Sequence, residues 1–190
     1  MEFLTCDPAS LSPDTLLSLQ ESLTPSRRER VERYKRPQDR QRSLAAEYLV
    51  RQLLHRLGST ARLEQLPNGQ PVLSDGSFVS LSHTDGLCAA AVSLRPVGID
   101  CERLRPVDLK LTRHVCTPEE LSYILDGDPL PEGSCTDREK LVRFFEVWTG
   151  KEAWFKALGT GITDLKSVNI LPLPRRFLCR GDYLIHIIEK

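Results

Sequence analysis

The chain has 190 residues, which allows one sizeable hydrophobic core or two small halves that share an interface. Hydrophobic residues make up 40% of it and charged residues 27%, the ordinary balance of a globular protein. Lys plus Arg and Asp plus Glu both count 26, so net charge indicates no partner, and no apolar run approaches the ~18 residues that a membrane span requires.

The cysteines and the N-terminus indicate the compartment. The six cysteines are scattered, with no Cys-x-x-Cys pair and no adjacent His at a metal-binding spacing. Such thiols are typical of buried or incidental side chains in a reducing compartment. The N-terminus carries Glu2 and Asp7 and lacks the basic-then-apolar pattern of a signal peptide. We therefore expect a cytoplasmic protein.

Helix starts, periodicity and turn residues divide the first half of the chain into elements. Ser26 and Glu29 have the spacing of a capping box at the start of a basic helix, and Pro37 breaks that helix. Thr84-Asp85-Gly86 is turn chemistry between two strands and predicts a hairpin. The predicted elements are an edge strand over residues 1–5, helices over 13–22, 24–34 and 39–57, and strands over 78–82 and 87–93.

The second half repeats the same order of elements. Thr117 and Pro118 mark a helix start, and Gly159 is a natural helix stop. The predicted elements are strands over residues 97–102, 165–170 and 183–188, a helix from 117, a Pro- and Gly-rich loop over 126–136, and a helix over 144–158. The predicted fold is therefore α+β: two similar α/β halves, residues 1–96 and 97–190, each a small mainly antiparallel sheet with a long helix, related by a pseudo-twofold axis.

Two stretches of the first half are candidates for binding an anion. Between Arg27 and Arg42, eight Lys or Arg residues accompany three acidic ones. This segment fits a solvated helix face, or a site for nucleic acid or for a ligand rich in phosphates. Ser82 and His83 follow directly on a predicted strand. They fit a strand-end serine beside a partly buried histidine, or a phosphate contact made by a hydroxyl and an imidazole.

Asp100 and Glu102 lie two apart on the strand that begins the second half. Their side chains therefore point to the same face, while Cys101 points into the core. Adjacent carboxylates repel unless a cation lies between them, and Mg²⁺ prefers such oxygen ligands together with substrate phosphates. The alternative is a solvent-exposed strand end. A third carboxylate in reach, for which Glu152 is the candidate, favours the metal site.

Charged residues lie beside the apolar stripe of the helix over residues 144–158. Apolar residues recur there at i, i+3 and i+4, and Lys151, Glu152 and Lys156 interrupt the pattern. One interpretation is a core helix with a Glu152–Lys156 surface pair at i, i+4. The other is a reactive site that uses these charges together with the carboxylates of the preceding strand.

These motifs together resemble those of the 4′-phosphopantetheinyl transferases, in particular the pseudo-dimeric type. Gly98-Ile99-Asp100-Cys101-Glu102 looks like the family's G-[VI]-D-x-E, and residues 148–156 look like its W-[ST]-x-K-E-[AS]-x-x-K. The similarity runs in the family's order from about residue 24 to 165. The weaker matches are Asn68-Gly69-Gln70-Pro71, Leu81-Ser82-His83-Thr84, Arg40-Gln41-Arg42-Ser43 and Leu49-Val50-Arg51.

The resemblance implies a reaction and a set of residues. The protein would transfer 4′-phosphopantetheine from coenzyme A to a serine of an acyl or peptidyl carrier protein and release 3′,5′-ADP. Asp100, Glu102 and Glu152 would hold Mg²⁺ on the pyrophosphate. Glu152 would also accept the serine proton, and Lys156 would assist the leaving group. The positions that match coenzyme A contacts of the family are Arg27, Arg30, Ser43, Ser82, His83, Lys151 and Lys156.

Two positions depart from the family pattern. Gln70 stands where Lys is frequent, which weakens one phosphate contact, and Cys101 replaces an aliphatic residue.

Two alternatives come from other classes of protein. A nucleic-acid- or anion-binding module is supported by the basic segment alone, and an inactive paralogue is opposed by the occupied reacting positions.

The implied partners are coenzyme A and a carrier protein. We expect a monomer that binds neither nucleic acid nor a membrane. Carrier proteins are usually acidic, so the surface near residues 104–135, with Arg105, Lys110 and Arg113, is the expected docking surface.

Overall fold

A computed structural model describes residues 1–161 and 163–190. Ile162, in the predicted second half, lies outside the described residues. The helices are α1 (Pro13–Glu21), α2 (Pro25–Glu32), α3 (Pro37–Arg56), α4 (Thr112–Val115), α5 (Pro118–Leu125) and α6 (Arg138–Leu158). The strands are β1 (Glu2–Cys6), β2 (Leu63–Gln65), β3 (Pro71–Leu73), β4 (Phe78–Thr84), β5 (Leu87–Ser93), β6 (Val97–Arg103), β7 (Val107–Asp108), β8 (Ser134–Cys135), β9 (Arg176–Arg180) and β10 (Tyr183–Glu189). Short 3-10 helices cover Pro8–Ser10, Leu109–Leu111 and Leu165–Ser167.

The first half forms an antiparallel sheet in the order β1-β5-β4. β1 is an edge strand, as predicted, and pairs with β5 from Glu2 opposite Val92 to Cys6 opposite Cys88. β4 and β5 form the predicted hairpin, and Gly86 in its turn has φ +76°, which favours glycine. The long helix α3 packs on this sheet. Its side chains in the shared core are Ala45, Leu49, Val50, Leu53 and Leu54.

The second half forms an antiparallel sheet in the order β6-β10-β9. β10 is the central strand and pairs with β6 from Tyr183 opposite Arg103 to Glu189 opposite Val97. Helix α6 lies across β6 and β10. The buried α6 side chains in this core are Leu141, Phe144, Phe145, Val147, Ala153 and Ala157. The α+β fold class, with a small antiparallel sheet and a long helix in each half, is therefore confirmed.

The two sheets meet where β4 lies beside β6. A third apolar cluster joins them, with Ala89 and Ala91 of β5 packed against side chains of β6 and β10. Along the join, β6 backbone amides donate to β4 side chains: Ile99 N to Ser80 Oγ at 3.0 Å, and Cys101 N to Ser82 Oγ at 3.2 Å. The division after residue 96 and the pseudo-twofold axis stay predictions.

Three local predictions are wrong. The predicted capping box is absent from the described contacts, because Ser26 Oγ accepts from Gln65 N at 3.1 Å and the N-cap of α2 is Thr24. Pro37 does not break α2, which already ends at Glu32; it begins α3 and is tolerated there because the first-turn N–H has no intrahelical partner. Helix α6 begins at Arg138 rather than at 144, because Asp137 accepts hydrogen bonds from the first-turn amides.

The strand predicted over residues 165–170 is also wrong. This segment starts as a 3-10 helix and continues without regular structure. Its backbone groups are used by side chains instead of by a strand partner. Lys151 Nζ donates to the carbonyls of Leu165 and Val168, both at 2.6 Å, and Ile170 N donates to Glu120 Oε1 at 2.8 Å. Side chains of α5 and α6, rather than a sheet partner, therefore fix the backbone of this segment.

The described residues also bear on two expectations from composition. Within residues 1–161 and 163–190, no helix combines the length and the apolar character that crossing a bilayer requires. The six cysteines are free thiols; Cys88, Cys101, Cys116 and Cys135 are buried, and Cys179 is exposed. Burial raises the pKa of Cys88 to about 12, so this thiol stays protonated and behaves as an apolar side chain.

Gly98 allows α6 to lie directly on β6, and we predict that Gly98→Ala destabilises the protein. A Cβ at this position would lie 1.8 Å from Ala153 O and 2.7 Å from Ala157 N, so helix and strand would have to separate. Overpacking of this kind costs roughly 1–3 kcal/mol or more. Equilibrium denaturation with urea measures the loss, and an unchanged midpoint would contradict the prediction.

Candidate active site

Asp100 is the centre of a polar cluster between the two halves. This residue is 3% exposed and lies in the middle of β6. Asp100 Oδ1 accepts from Ser82 Oγ and from Lys156 Nζ, each at 2.7 Å. Lys156 Nζ also donates to Ile99 O at 3.2 Å. One carboxylate of the second half is thus held by a strand of the first half and by a helix of the second.

The second oxygen of Asp100, Oδ2, is buried and unpaired among the described residues, and Glu152 lies close enough for its charge to interact with Asp100. Burial, together with the neighbouring Asp100 and Glu102 carboxylates, raises the pKa of Glu152 to about 7 against the opposing charge of Lys156. A raised pKa of this kind means that the nearby positive charge does not offset the effects of burial and of the neighbouring carboxylates. The predicted proximity of Glu152 to Asp100 and Glu102 is consistent with this electrostatic coupling.

Glu102 lies two residues after Asp100 on the same face of β6, as predicted. Glu102 Oε2 accepts from Thr84 Oγ1 at 3.1 Å and from Arg105 at 3.0 Å. The guanidinium of Arg105 also stacks over the Phe145 ring, 5.1 Å from its centroid. The Glu102 side chain therefore points towards Arg105. It does not converge with Asp100 and Glu152 on one point.

The three carboxylates do not form a closed metal site as their side chains stand. In residues 1–161 and 163–190, no three His, Cys, Asp or Glu side chains converge to hold a metal ion. The donor chemistry nevertheless fits Mg²⁺, which takes one or two carboxylates and completes its shell with water and phosphate oxygens. The buried Asp100 Oδ2 without a described partner and the raised pKa of Glu152 both indicate a place where a cation would be stabilised.

Positive charges lie next to these carboxylates. Partial burial of the His83 ring lowers its pKa, and the nearby charges of Arg42 and Lys156 lower this pKa further. Arg42 and Lys156 therefore supply positive charge around His83, whose imidazole stays neutral at neutral pH. Arg42 also pairs with Asp39 at 3.3 Å. Sequence reasoning placed Arg42 in a family motif without proposing it as a site residue, and its position in the basic segment is the signal that could have identified it.

A cavity of about 440 Å³ opens beside Lys156. The turn at residues 68–71, strand β4 and the end of α6 line it. Gly159 ends α6 with φ +69°, and a Cβ there would lie 3.1 Å from Gln70 Nε2. The cavity thus lies between the two halves, and both contribute to its wall. Ligand pockets of this size are typical of sites for small molecules and cofactors.

Comparison with known proteins finds family models that match the first and the second half of the chain. A family model described as the 4′-phosphopantetheinyl transferase superfamily matches residues 96–185, and one described as the 4′-phosphopantetheinyl transferase N-terminal domain matches residues 33–93. The 4′-phosphopantetheinyl transferase HetI of a Nostoc species is 31% identical over 179 residues, which cover 88% of this chain and 72% of HetI. The chain belongs to the 4′-phosphopantetheinyl transferase superfamily.

Two other members of the superfamily are similar over shorter stretches. The 4′-phosphopantetheinyl transferase gsp of Aneurinibacillus migulanus is 30% identical over 134 residues, covering 68% of this chain and 53% of gsp. The 4′-phosphopantetheinyl transferase Sfp of Bacillus subtilis is 26% identical over 147 residues, covering 74% of this chain and 62% of Sfp. The aligned part of this chain thus spans between half and two thirds of these two relatives.

Arg27 and Ser43, two positions that match coenzyme A contacts of this family, lie in the core of the first half. Arg27 is 3% exposed. Its guanidinium pairs with Glu47 at 3.3 Å and donates to Gln65 Oε1 at 2.8 Å and to Ser43 Oγ at 3.2 Å. These two side chains contact each other and buried neighbours, and their contact with coenzyme A stays a prediction. Arg30, by contrast, lies at the surface and stacks over Tyr34, 5.2 Å from the ring centroid.

Lys151 is the clearest correction among the predicted site residues. It is fully buried, and Lys151 Nζ lies 2.7 Å from Glu120 Oε2 in an ion pair shielded from water. Since adjacent positions on a helix point about 100° apart, Lys151 faces the core while Glu152 faces the cleft. Lys151 and Glu120 hold the segment over residues 165–170 against α6, and Lys151 is not in a position to touch a ligand in the cleft.

We predict that Lys151→Met lowers stability sharply, because it leaves Glu120 as an uncompensated buried charge. Breaking a buried pair by removing one partner costs about 3–5 kcal/mol. Lys140→Met is a matched control on the same helix, since Lys140 pairs with the exposed Asp128 and surface pairs contribute little. Urea denaturation compares the two variants. Equal midpoints would contradict the structural role of Lys151.

We predict a pH dependence of stability that comes from Glu152 in protein treated with a chelator. Its folded pKa is about 7 and its ordinary value is 4.5, so the folded state holds the proton more tightly. The resulting stabilisation is complete below about pH 4.5 and is lost as the pH rises through about 7. Wild type should therefore lose stability relative to Glu152→Gln across this window. Parallel stability curves from denaturation at several pH values would contradict the raised pKa.

Proposed function

We propose that this protein transfers the 4′-phosphopantetheine group of coenzyme A to a serine of an acyl or peptidyl carrier protein, in a Mg²⁺-dependent reaction that releases 3′,5′-ADP. The observation that carries the proposal is the meeting of Glu152 and Lys156 from α6 with Asp100 from β6, in a chain of the transferase superfamily. Phosphoryl transfer depends on positioning and charge stabilisation, and this cluster supplies both acidic and basic groups.

Coenzyme A fits the region between the two halves. Its phosphates would lie against the charges of Arg42 and Lys156 and the neutral imidazole of His83, and part of the nucleotide would occupy the 440 Å³ cavity. Gln70 lines this cavity where the family often has Lys, so it offers a hydrogen bond in place of a charge. Arg30 remains a candidate for a more distant phosphate contact, because it is partly exposed on α2.

Asp100, Glu102 and Glu152 are the proposed Mg²⁺ ligands. The ion would supply charge neutralisation on the pyrophosphate oxygens. Asp100 offers its Oδ2, and Glu102 has to exchange its contact with Arg105 for the ion. Lys156 stays on Asp100 Oδ1, 2.7 Å away, where its charge also lies close to the oxygens of the leaving 3′,5′-ADP.

Glu152 is the proposed proton acceptor. The carrier serine oxygen forms a bond to the β-phosphorus of coenzyme A, the bond from that phosphorus to the bridging oxygen breaks, and 3′,5′-ADP leaves with the bridging oxygen. The serine proton passes to Glu152, directly or through water. A carboxylate positioned within reach of the serine hydroxyl can act as a general base.

Mass spectrometry of a candidate carrier protein after incubation with coenzyme A and Mg²⁺ tests this function. We expect the carrier to gain one phosphopantetheine, and a carrier with its acceptor serine replaced by alanine to gain none. An unmodified carrier alongside measurable coenzyme A binding would favour the inactive paralogue. Steeply salt-dependent binding of nucleic acid, without coenzyme A binding, would favour the alternative binding module. The cytoplasmic location and monomeric state stay predictions.

We predict that Glu152→Gln removes turnover without harming the fold. The substitution keeps the shape of the side chain and removes its charge, and loss of a positioned base costs ~10²–10⁴-fold in rate. Raising Mg²⁺ should not restore turnover, because the missing function is proton transfer as well as ligation. Steady-state rates across a Mg²⁺ titration measure this. Full recovery at high Mg²⁺ would show that Glu152 is a ligand without a role as base.

We predict that the carrier docks on the surface that carries Arg105, Lys110 and Arg113. All three side chains are exposed, and Leu111 between them is 47% exposed, which gives an apolar spot within a basic surface. Reversing the charge of Lys110 and Arg113 should raise the KM for an acidic carrier and leave the KM for coenzyme A unchanged. Identical carrier KM values for variant and wild type would contradict this surface.

A further inference from the structure

Strand β4 presents a hydroxyl at every second position towards β6. Ser80, Ser82 and Thr84 alternate along it, and side chains two apart on a strand share a face. Two of these hydroxyls reach the carboxylates of the candidate site. Ser82 Oγ donates to Asp100 Oδ1 at 2.7 Å, and Thr84 Oγ1 donates to Glu102 Oε2 at 3.1 Å.

The single hydroxyl proton of Ser82 is committed to Asp100. Ser82 Oγ also accepts from Cys101 N at 3.2 Å, and the residue is 8% exposed. A phosphate oxygen without a proton can only accept hydrogen bonds, and a serine has one proton to give. Ser82 therefore has no proton left for coenzyme A while it holds Asp100, which differs from the expectation that the resemblance gave.

We propose that Ser82 is a positioning residue, which holds the Asp100 carboxylate from the neighbouring half of the protein in the orientation that binds a divalent cation. The inference rests on the proposed function, since that function assigns the cation. With Asp100 Oδ1 fixed by Ser82 and by Lys156, Oδ2 is the oxygen that stays available to the ion.

The chain offers a matched comparison for Ser82. Ser80 lies two residues earlier on the same face and accepts from Ile99 N at 3.0 Å, just as Ser82 accepts from Cys101 N. Ser80 contributes to the same join between the sheets but donates to neither carboxylate. Ser80→Ala and Ser82→Ala therefore remove equivalent backbone contacts, and only Ser82→Ala also removes a hydrogen bond to Asp100, whose Oδ1 keeps its contact with Lys156. The difference between them isolates the contact with the carboxylate.

Calorimetric titration of Mn²⁺ into protein saturated with coenzyme A, without any carrier, measures this difference directly. Hydrogen bonds to charged groups correspond to roughly a 10- to 100-fold effect on affinity. We expect Ser82→Ala to bind Mn²⁺ at least about 10-fold more weakly than Ser80→Ala, and Ser82→Thr, which keeps the hydroxyl, to bind it nearly as well as wild type. If Ser82→Ala does not fold, Ser82→Cys takes its place: the thiol is of similar size but only a weak donor, so this variant should also bind Mn²⁺ more weakly than Ser80→Ala.

A second titration separates positioning from ligand contact. Coenzyme A is titrated into wild type and Ser82→Ala in the presence of a chelator, and we expect affinities within about twofold of each other, since no phosphate contact is lost. A large loss of coenzyme A affinity would overturn the proposal in favour of a phosphate contact. Equal Mn²⁺ affinities for Ser80→Ala and Ser82→Ala, or the absence of Mn²⁺ binding by wild type, would also overturn it. Because neither titration needs turnover, both decide the role of Ser82 even if no carrier is modified.

Discussion

The close contact of α6 with β6 is the constraint on which the candidate site depends. The two elements touch at Gly98, where no side chain keeps them apart. At that separation Lys156 Nζ reaches both Ile99 O and Asp100 Oδ1, and Glu152, one helical turn earlier, comes close enough to Asp100 for the two carboxylates to interact. A wider gap would remove the ion pair and return the pKa of Glu152 towards its ordinary range.

Two ion pairs on the side of α6 that faces away from the cleft fix the helix in this position. Lys151 and Glu120 form a fully buried ion pair, and Glu146 pairs with Arg175 at 2.9 Å. Both pairs carry additional hydrogen bonds to the chain over residues 165–175. A buried pair of this kind is weak evidence for net stability, but its many fixed partners define one orientation of the helix. Charges on one side of α6 therefore set its position, and charges on the other side do the proposed chemistry.

Because the two halves join at β4 and β6, both of them contribute residues to the cleft. β4 and β6 lie side by side, and in the described residues the join between them consists of β6 amides that donate to serine oxygens of β4 and of β4 hydroxyls that donate to β6 carboxylates. Because these contacts involve side chains and not a continuous strand ladder, the two sheets can diverge on either side of the join. The cavity opens where the turn at residues 68–71 meets the end of α6. The acidic residues belong to the second half, and Arg42 and His83 belong to the first. A ligand rich in phosphates would therefore need both halves.

Local sequence patterns determined the fold class, the edge strand, the hairpin, most of the long helices, and the shared face of Asp100 and Glu102. These follow from periodicity and turn chemistry, which act over a few residues. The burial of Arg27 and Lys151, the irregular course of residues 165–170, and the commitment of the Ser82 proton to Asp100 were decided by tertiary structure. In each case the partner lies far along the chain: Glu47 for Arg27, Glu120 for Lys151, and Asp100 for Ser82. A motif places two neighbouring charges in sequence, but only the packing of the helix decides that Lys151 enters the core while Glu152 enters the cleft.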